Sequence, residues 1–328
     1  MTNEIHTSLP GKDPPGGAAA QFSPVFLAGP TAAGKSAVAV ALAERLGGEI
    51  ISVDSMQVYR GMDIGTGKPG PAELQRARHH LIDVAGLEET FDAARFVRLA
   101  GAAAAEIQAR GHVPIFCGGT GLYFKAYREG LGEAPPADAA LRAALEAQPL
   151  AELLAELEKS DPATFQRIDR KNPRRVIRAV EVIRLTGRPF SAQRAPWTDP
   201  AGQRSSGAAF CLTRPAGELR ERIARRVEEM FAKGLVAETA SLLKRGLEHN
   251  PTACQALGYR QVIEHLRGVR GLPETVELVK IRTRQFAKRQ LTWFRRQMRL
   301  EWITLEGQSP EAAAEKLAAK LAAKTLET

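Results

Sequence analysis

Cysteine is scarce in this chain of 328 residues. Cys117, Cys211 and Cys254 stand far apart, which excludes a paired-cysteine zinc site and a disulfide framework. Buried thiols in a reducing cytoplasm are the expectation. Long apolar runs are also missing: none approaches the roughly 18 residues that a membrane-spanning helix requires. Residues 1–22 are rich in Gly, Pro and Ala, with no arginine and no apolar core of signal-peptide length. A secretory or transit leader is therefore not expected there, and a disordered tail is. Acid is in deficit, because 37 Asp and Glu face 46 Lys and Arg, for a net charge of +9. Bulk charge says little about partners until it is located along the chain. With 44% hydrophobic and 25% charged residues, the composition is that of a soluble globular protein of one large domain or two.

What is present centres on Gly29-Pro30-Thr31-Ala32-Ala33-Gly34-Lys35-Ser36. This stretch satisfies the phosphate-binding pattern G-x-x-x-x-G-K-[ST] at every fixed position. Val25 to Ala28 before it is a buried-strand run, and Val38, Ala41, Leu42 and Leu46 after it recur at helical spacing until Gly47-Gly48. A strand, a glycine loop and a helix N-terminus converge backbone N–H groups on one spot, where the helix dipole adds positive charge. Lys35 adds a mobile cation and Ser36 a hydroxyl that fits Mg²⁺.

Glu49 to Val53 reads as a second strand ending at Asp54. Ligands in open α/β sheets lie beyond the strands' carboxyl ends, so Asp54 belongs near the phosphate loop, either as a loop cap or as a functional acid. The glycine-rich stretch from Asp54 to Pro69 reads as a loop over the site. His79-His80 invites a metal reading, but adjacent residues of an extended segment face opposite ways, so a structural role is expected. A helix over 91–110 and a strand over 113–117 lead into Gly118-Gly119-Thr120-Gly121, a second glycine loop at the same sheet edge. Thr120 there fits either a helix cap or a substrate contact.

From residue 133 to 204 the strand–helix alternation gives way to helical patterns: 137–147, 150–158, 162–168 and 173–186. The reading is a core over 23–132 and 205–328 that carries a helical insertion over 133–204. Nine basic residues between Arg167 and Arg194 face only Asp169 and Glu181. A second basic centre, without an acid from Lys280 to Arg299, lies in a helix expected over 273–299. Such imbalance of sign points to a polyanion. Helices are also expected over 218–233, 235–245 and 255–267, with strands over 208–213 and 301–305.

Phosphoryl-transfer enzymes add a second apolar strand that ends in Asp and helps hold Mg²⁺. The nearest equivalent here ends in Cys117-Gly118-Gly119-Thr120, which argues against a kinase or a motor. A phosphorylated ligand is expected, and a kinase, another enzyme of a phosphorylated substrate and a non-catalytic RNA-binding module stay open.

Five motifs in order decide among them. They are the phosphate loop, the segment Asp54 to Pro69, the run Gly118-Gly119-Thr120-Gly121-Leu122-Tyr123, the run Asn172 to Val182, and Ala256-Leu257-Gly258-Tyr259-Arg260-Gln261. In combination they resemble the tRNA dimethylallyltransferases, which prenylate adenosine 37 beside the anticodon, and the match runs from about Val25 to Trp302. The resemblance implies an α/β fold, a P-loop NTPase-like parallel sheet core with a helical tRNA-binding insertion, in a cytoplasmic monomer. It implies that Gly29, Pro30, Thr31, Ala32, Ala33, Gly34, Lys35 and Ser36 cradle the diphosphate of dimethylallyl diphosphate, with Mg²⁺ assisting at Ser36.

The resemblance makes Asp54 the general base that takes a proton from adenine N6. It has Thr120 hold the target nucleotide and Arg222 steady the diphosphate, with Arg226 one turn later as the competing choice. Contacts to the tRNA anticodon stem–loop would come from Asp54, Ser55, Met56, Gln57 and Arg142, and from Arg174, Arg175, Val176, Ile177 and Arg178. Further contacts would come from Gln255, Ala256, Leu257, Gly258, Tyr259 and Arg260, and from Ala287, Lys288, Arg289, Gln290, Leu291, Thr292, Trp293 and Phe294. Two positions depart from the family pattern: Gly67 stands where Ala is common, and Gln255 where Arg is.

Overall fold

The computed structural model describes residues 23–193 and 207–326. The expected tail over 1–22, and the close of the insertion after Gln193, lie outside the described residues.

Six parallel strands form one sheet in the order β3-β2-β4-β1-β5-β6. They are β1 (Val25–Ala28), β2 (Gly48–Val53), β3 (His79–His80), β4 (Val113–Gly118), β5 (Ala209–Thr213) and β6 (Glu301–Thr304). β1 lies between β4 and β5, with Leu27 level with Cys117 and Phe210. The phosphate loop therefore leaves the middle of the sheet, flanked by the ends of two other strands. The period-2 alternation of β1 is used on both faces. Phe26 and Ala28 join an apolar cluster with Phe96, Phe116, Tyr123 and Phe294. Val25 and Leu27 join another with Ile115, Phe210 and Leu212.

Helix α1 (Lys35–Leu46) buries Val38 to Ala43 on the second face. There it packs against α13 (Pro310–Leu326) through Ala313, Ala314 and Leu317. Arg45 and Glu315 join the two helices at 3.5 Å. On the first face lie α3 (Ala93–Ala109), capped by Asp92 Oδ1 on Arg95 N at 2.8 Å, and α4 (Gly121–Glu129). α9 (Ala216–Ala232) and α12 (Leu272–Gln297) pack together through Val227 and Val279, with α10 (Leu235–Lys244) and α11 (Tyr259–Leu266) alongside.

The helices α5 (Ala139–Glu146), α6 (Leu150–Ser160), α7 (Pro162–Arg167) and α8 (Pro173–Thr186) surround an apolar cluster of their own, built on Leu145, Leu153, Leu157, Val176 and Val180. Asn172 caps α8 through Arg175 N, with Pro173 in its first turn, as its sequence predicts.

Three elements differ from expectation. Short α2 (Pro71–Arg76) has no buried residue, so it carries no apolar stripe that periodicity would reveal. His79-His80 is a two-residue edge strand, in which His80 Nε2 meets Glu49 Oε2 at 2.6 Å and His79 Nδ1 meets the Ala77 carbonyl at 2.8 Å. The helix expected from Gln255 begins only at Tyr259, because Gly258 takes φ 90° and a 3₁₀ turn over Ala253–Gln255 precedes it. Among the described residues, no helix is long and apolar enough to cross a membrane.

Candidate active site

The phosphate loop has its carbonyls held from behind. Arg222 Nε donates to the Ala32 carbonyl at 2.9 Å, and Arg214 Nε to that of Ala33 at 2.9 Å. Both arginines so stiffen the loop, Arg214 while ion-paired with Glu218. Ala32 holds φ +62°, a conformation that costs a non-glycine residue energy and marks a shape imposed by the fold. Lys35 Nζ turns back to the Pro30 carbonyl at 2.7 Å. Burial lowers its pKa to about 8, against which the charge of Asp54 works.

Asp54 stands just past β2. Its Oδ1 accepts from Met56 N at 2.8 Å and Gln57 N at 3.3 Å, so it does cap its own loop. Its charge nevertheless reaches Lys35 and Arg226. Thr120 occupies the N-cap position of α4 without capping it; its Oγ1 accepts from Ser55 N at 3.1 Å and so ties the second glycine loop to the first residues after Asp54. The loop over 54–69 is itself stapled from α10 and α11. Glu238 accepts from Ile64 N at 2.8 Å and from Tyr259 Oη at 2.6 Å, while that oxygen accepts from Gly65 N at 3.1 Å.

Two cavities meet at Lys35 and Ser36. The outer one, about 750 Å³, lies between the phosphate loop, the loop at Asp63–Pro69, the α9 residues Arg222, Arg225 and Arg226, and Lys233 just past the end of α9. The inner one, about 380 Å³, is walled by Thr31, Asp54, Ser55, Met56, Gln57 and Thr120, and by Gln255, Ala256, Leu257, Gly258, Arg289 and Gln290. Arg226 lines both, whereas Arg222 lines only the outer. Burial lowers the pKa of each guanidinium, and Asp54 opposes that shift at Arg226. Gly67 makes room here: a Cβ at that position would lie 2.2 Å from an Arg226 terminal nitrogen.

The remaining expected RNA contacts divide. Lys288, Thr292 and Trp293 line an open groove on α12. Arg260, also exposed, donates to Gln255 Oε1 at 2.9 Å. Arg174 and Arg175 are exposed on α8, and Arg174 also reaches the Pro251 carbonyl at 3.1 Å. Arg142 and Arg178, however, both grip the wholly buried Glu181, each at 2.7 Å. The side chains of Val176, Ile177, Tyr259, Ala287 and Phe294 are buried, and Leu291 packs against a core cluster; these position their helices.

Sequence reasoning passed over Arg214 and Glu238. Arg214 follows β5 as Asp54 follows β2, and that strand-end position was its signal; Glu238 had none, being an ordinary helical acid. Among the described residues, no three His, Cys, Asp or Glu side chains gather as a metal cluster. Ser36, between both cavities, offers the hard oxygen that Mg²⁺ prefers when diphosphate oxygens supply the other ligands.

A parallel α/β sheet with a phosphate loop at its centre and a carboxylate cavity beside it defines a phosphate-substrate enzyme of the P-loop type. Comparison with known proteins narrows this class. The profile of the IPP transferase family matches residues 57–297. The chain is 47% identical over 283 residues to tRNA dimethylallyltransferase 1 of Trichlorobacter lovleyi, covering 85% of this chain and 92% of that one. It is 45% identical over 302 residues to the tRNA dimethylallyltransferase of Geobacillus thermodenitrificans, covering 89% and 93%. The crystal structure of a tRNA isopentenylpyrophosphate transferase from Bacillus halodurans superposes with a TM-score of 0.68 at 38% identity, over 92% of this chain and 98% of that one. The chain belongs to the IPP transferase family, that of the tRNA dimethylallyltransferases.

Proposed function

We propose that the protein transfers the dimethylallyl group of dimethylallyl diphosphate to N6 of adenosine 37 in tRNA, releasing diphosphate. The observation that carries this reading is the junction of the two cavities at Lys35, Ser36 and Arg226. A diphosphate seated on the phosphate loop from the outer side places its first carbon toward Asp54 in the inner one.

Adenine N6 is a poor nucleophile because its lone pair is delocalised into the ring. As N6 forms its bond to carbon, Asp54 accepts the N6 proton, a contribution of roughly 10²–10⁴-fold for a general base. The carbon–oxygen bond breaks with its electron pair going to the diphosphate. Lys35, Arg222, Arg226 and the loop N–H groups stabilise the charge that develops there. Ser36 would hold Mg²⁺, which when bound supplies further positive charge against the leaving diphosphate. The target base must leave its stack to reach a cavity of this depth, as base-modifying enzymes require. The part of α12 from Lys280 onward, which carries no acid, and the exposed arginines of α8 would track the phosphates of the anticodon stem–loop.

Incubation with labelled dimethylallyl diphosphate and either tRNA or AMP tests the reading. Label is expected in tRNA alone. Label in AMP would make the enzyme a nucleotide prenyltransferase, and tRNA-independent ATP turnover without prenyl transfer would make it a kinase-like hydrolase.

A further inference from the structure

Trp293 sits on α12 beside the carboxylate cavity. A Cβ on Gly121 would lie 2.1 Å from Trp293 Cε3 and 2.7 Å from Cδ2, so the indole lies against the first residue of α4, next to Thr120. The neighbouring Phe294 is wholly buried and meets the indole edge-on, with ring centres 5.5 Å apart and planes at 89°. The ring is thus fixed from two sides, yet it remains partly exposed. What it borders is a groove of about 530 Å³ carrying Lys288, Arg289, Thr292 and Arg296, with no acid along it. Arg289 lines both this groove and the inner cavity, so the groove runs up to the space that holds Asp54.

A rigid, half-open aromatic face among cations, at the mouth of a base-sized cavity, matches a single-stranded RNA loop. Cations follow the backbone, and an aromatic plane accepts any base by stacking. Extruding one nucleotide strips a stacking partner from each of its neighbours. We propose that Trp293 replaces that lost partner and stacks on the base adjacent to the extruded adenosine. Gly121 is small because the indole needs its surface. The proposal rests on the reading of the cavity as the site of a tRNA-loop adenosine.

The chain has three tryptophans, Trp197, Trp293 and Trp302, so Trp197→Phe with Trp302→Phe leaves Trp293 as the one indole reporter. Anticodon stem–loop RNA should quench its fluorescence. In a series carrying one abasic residue per loop position, the quench should vanish at one position other than the target adenosine. In the full chain, Trp293→Leu should raise the KM for this RNA roughly 5- to 150-fold, the span of one base–aromatic stack. The KM for dimethylallyl diphosphate should hold, and Trp293→Phe should recover most of the loss. A quench indifferent to every abasic position, or an unchanged RNA KM in Trp293→Leu, overturns the proposal. Failure of the functional reading looks different: wild-type protein would bind and quench with the RNA and transfer no prenyl group to it.

Discussion

Gln290 grips Thr31 across the site: its Oε1 accepts the Thr31 N–H at 2.9 Å, and its Nε2 donates to the Gly119 carbonyl at 2.9 Å. One nearly buried amide on α12 therefore spaces the phosphate loop from the second glycine loop. Gln290→Glu keeps the shape but sets a carboxylate oxygen against the Gly119 carbonyl and a negative charge beside the diphosphate. The KM for dimethylallyl diphosphate should rise about 5- to 150-fold, the effect of roughly 1–3 kcal/mol at an unsatisfied buried group. A steady-state titration of the donor at saturating tRNA checks this, and an unchanged KM would dismiss the spacer role.

Asp54 caps its loop and is the proposed base, and the two roles separate by substitution. Asn retains an Oδ1 that accepts from Met56 and Gln57, so the melting temperature of Asp54→Asn should stay close to wild type. Single-turnover prenyl transfer should fall about 10²–10⁴-fold. Near-normal transfer would remove Asp54 from the chemistry, and lost Mg²⁺ affinity would make it a metal ligand.

Lys35 should write itself into the pH dependence. The free protein holds it near 8 by burial, and a bound diphosphate favours its charged form. Above pH 8, binding must take up a proton, so the logarithm of donor affinity should decline with a slope approaching one per pH unit. Folding responds with the opposite sign. The unfolded chain keeps this proton up to 10.5, so between 8 and 10.5 it binds more protons than the folded chain, and stability rises with pH. Calorimetric titration and denaturant midpoints across this window check both trends, and both should vanish in Lys35→Met.

Arg222 and Arg226 should differ in kind. Arg222 borders only the outer cavity, so Arg222→Ala should chiefly raise the KM for the donor. Arg226 touches both, and Arg226→Ala should lower kcat as well. Each loss should be about 10- to 150-fold, for roughly 1.5–3 kcal/mol in a charged hydrogen bond. Identical kinetic signatures would refute the division of labour.

Glu181 organises the insertion. Burial alone would raise its pKa, yet hydrogen bonds from Arg178 and Arg142 hold it below the usual value. Glu181→Gln should destabilise α5 and α8 by about 1–3 kcal/mol, seen as faster hydrogen exchange over 139–186. Exchange at the wild-type rate would show the triad to be incidental. Charge reversal at Arg178 would strand this acid, which makes the exposed Arg175 the cleaner probe of RNA contact.

The strands around the phosphate loop and most helices were legible because buried faces leave a period in the sequence. Short or one-sided pieces were not: α2 buries nothing, and β3 is held by pairing across the sheet. At the site, Lys35, Ser36, Asp54 and Thr120 were legible from loop chemistry and strand ends. Gln290 was visible only as part of a stretch, because a glutamine spanning two distant loops has no local signature. The basic count of α8 likewise overstated its free charge, since Glu181, distant in sequence from Arg142, neutralises much of what lies near it.

The packing of α13 on α1 makes the phosphate loop answerable to a distant stretch of sequence. Ala313, Ala314 and Leu317 back the helix that the loop opens, although most of the chain separates the two. A lesion that loosens α13 therefore strips the buttress from the loop's helix, and its damage surfaces far from the position that was changed.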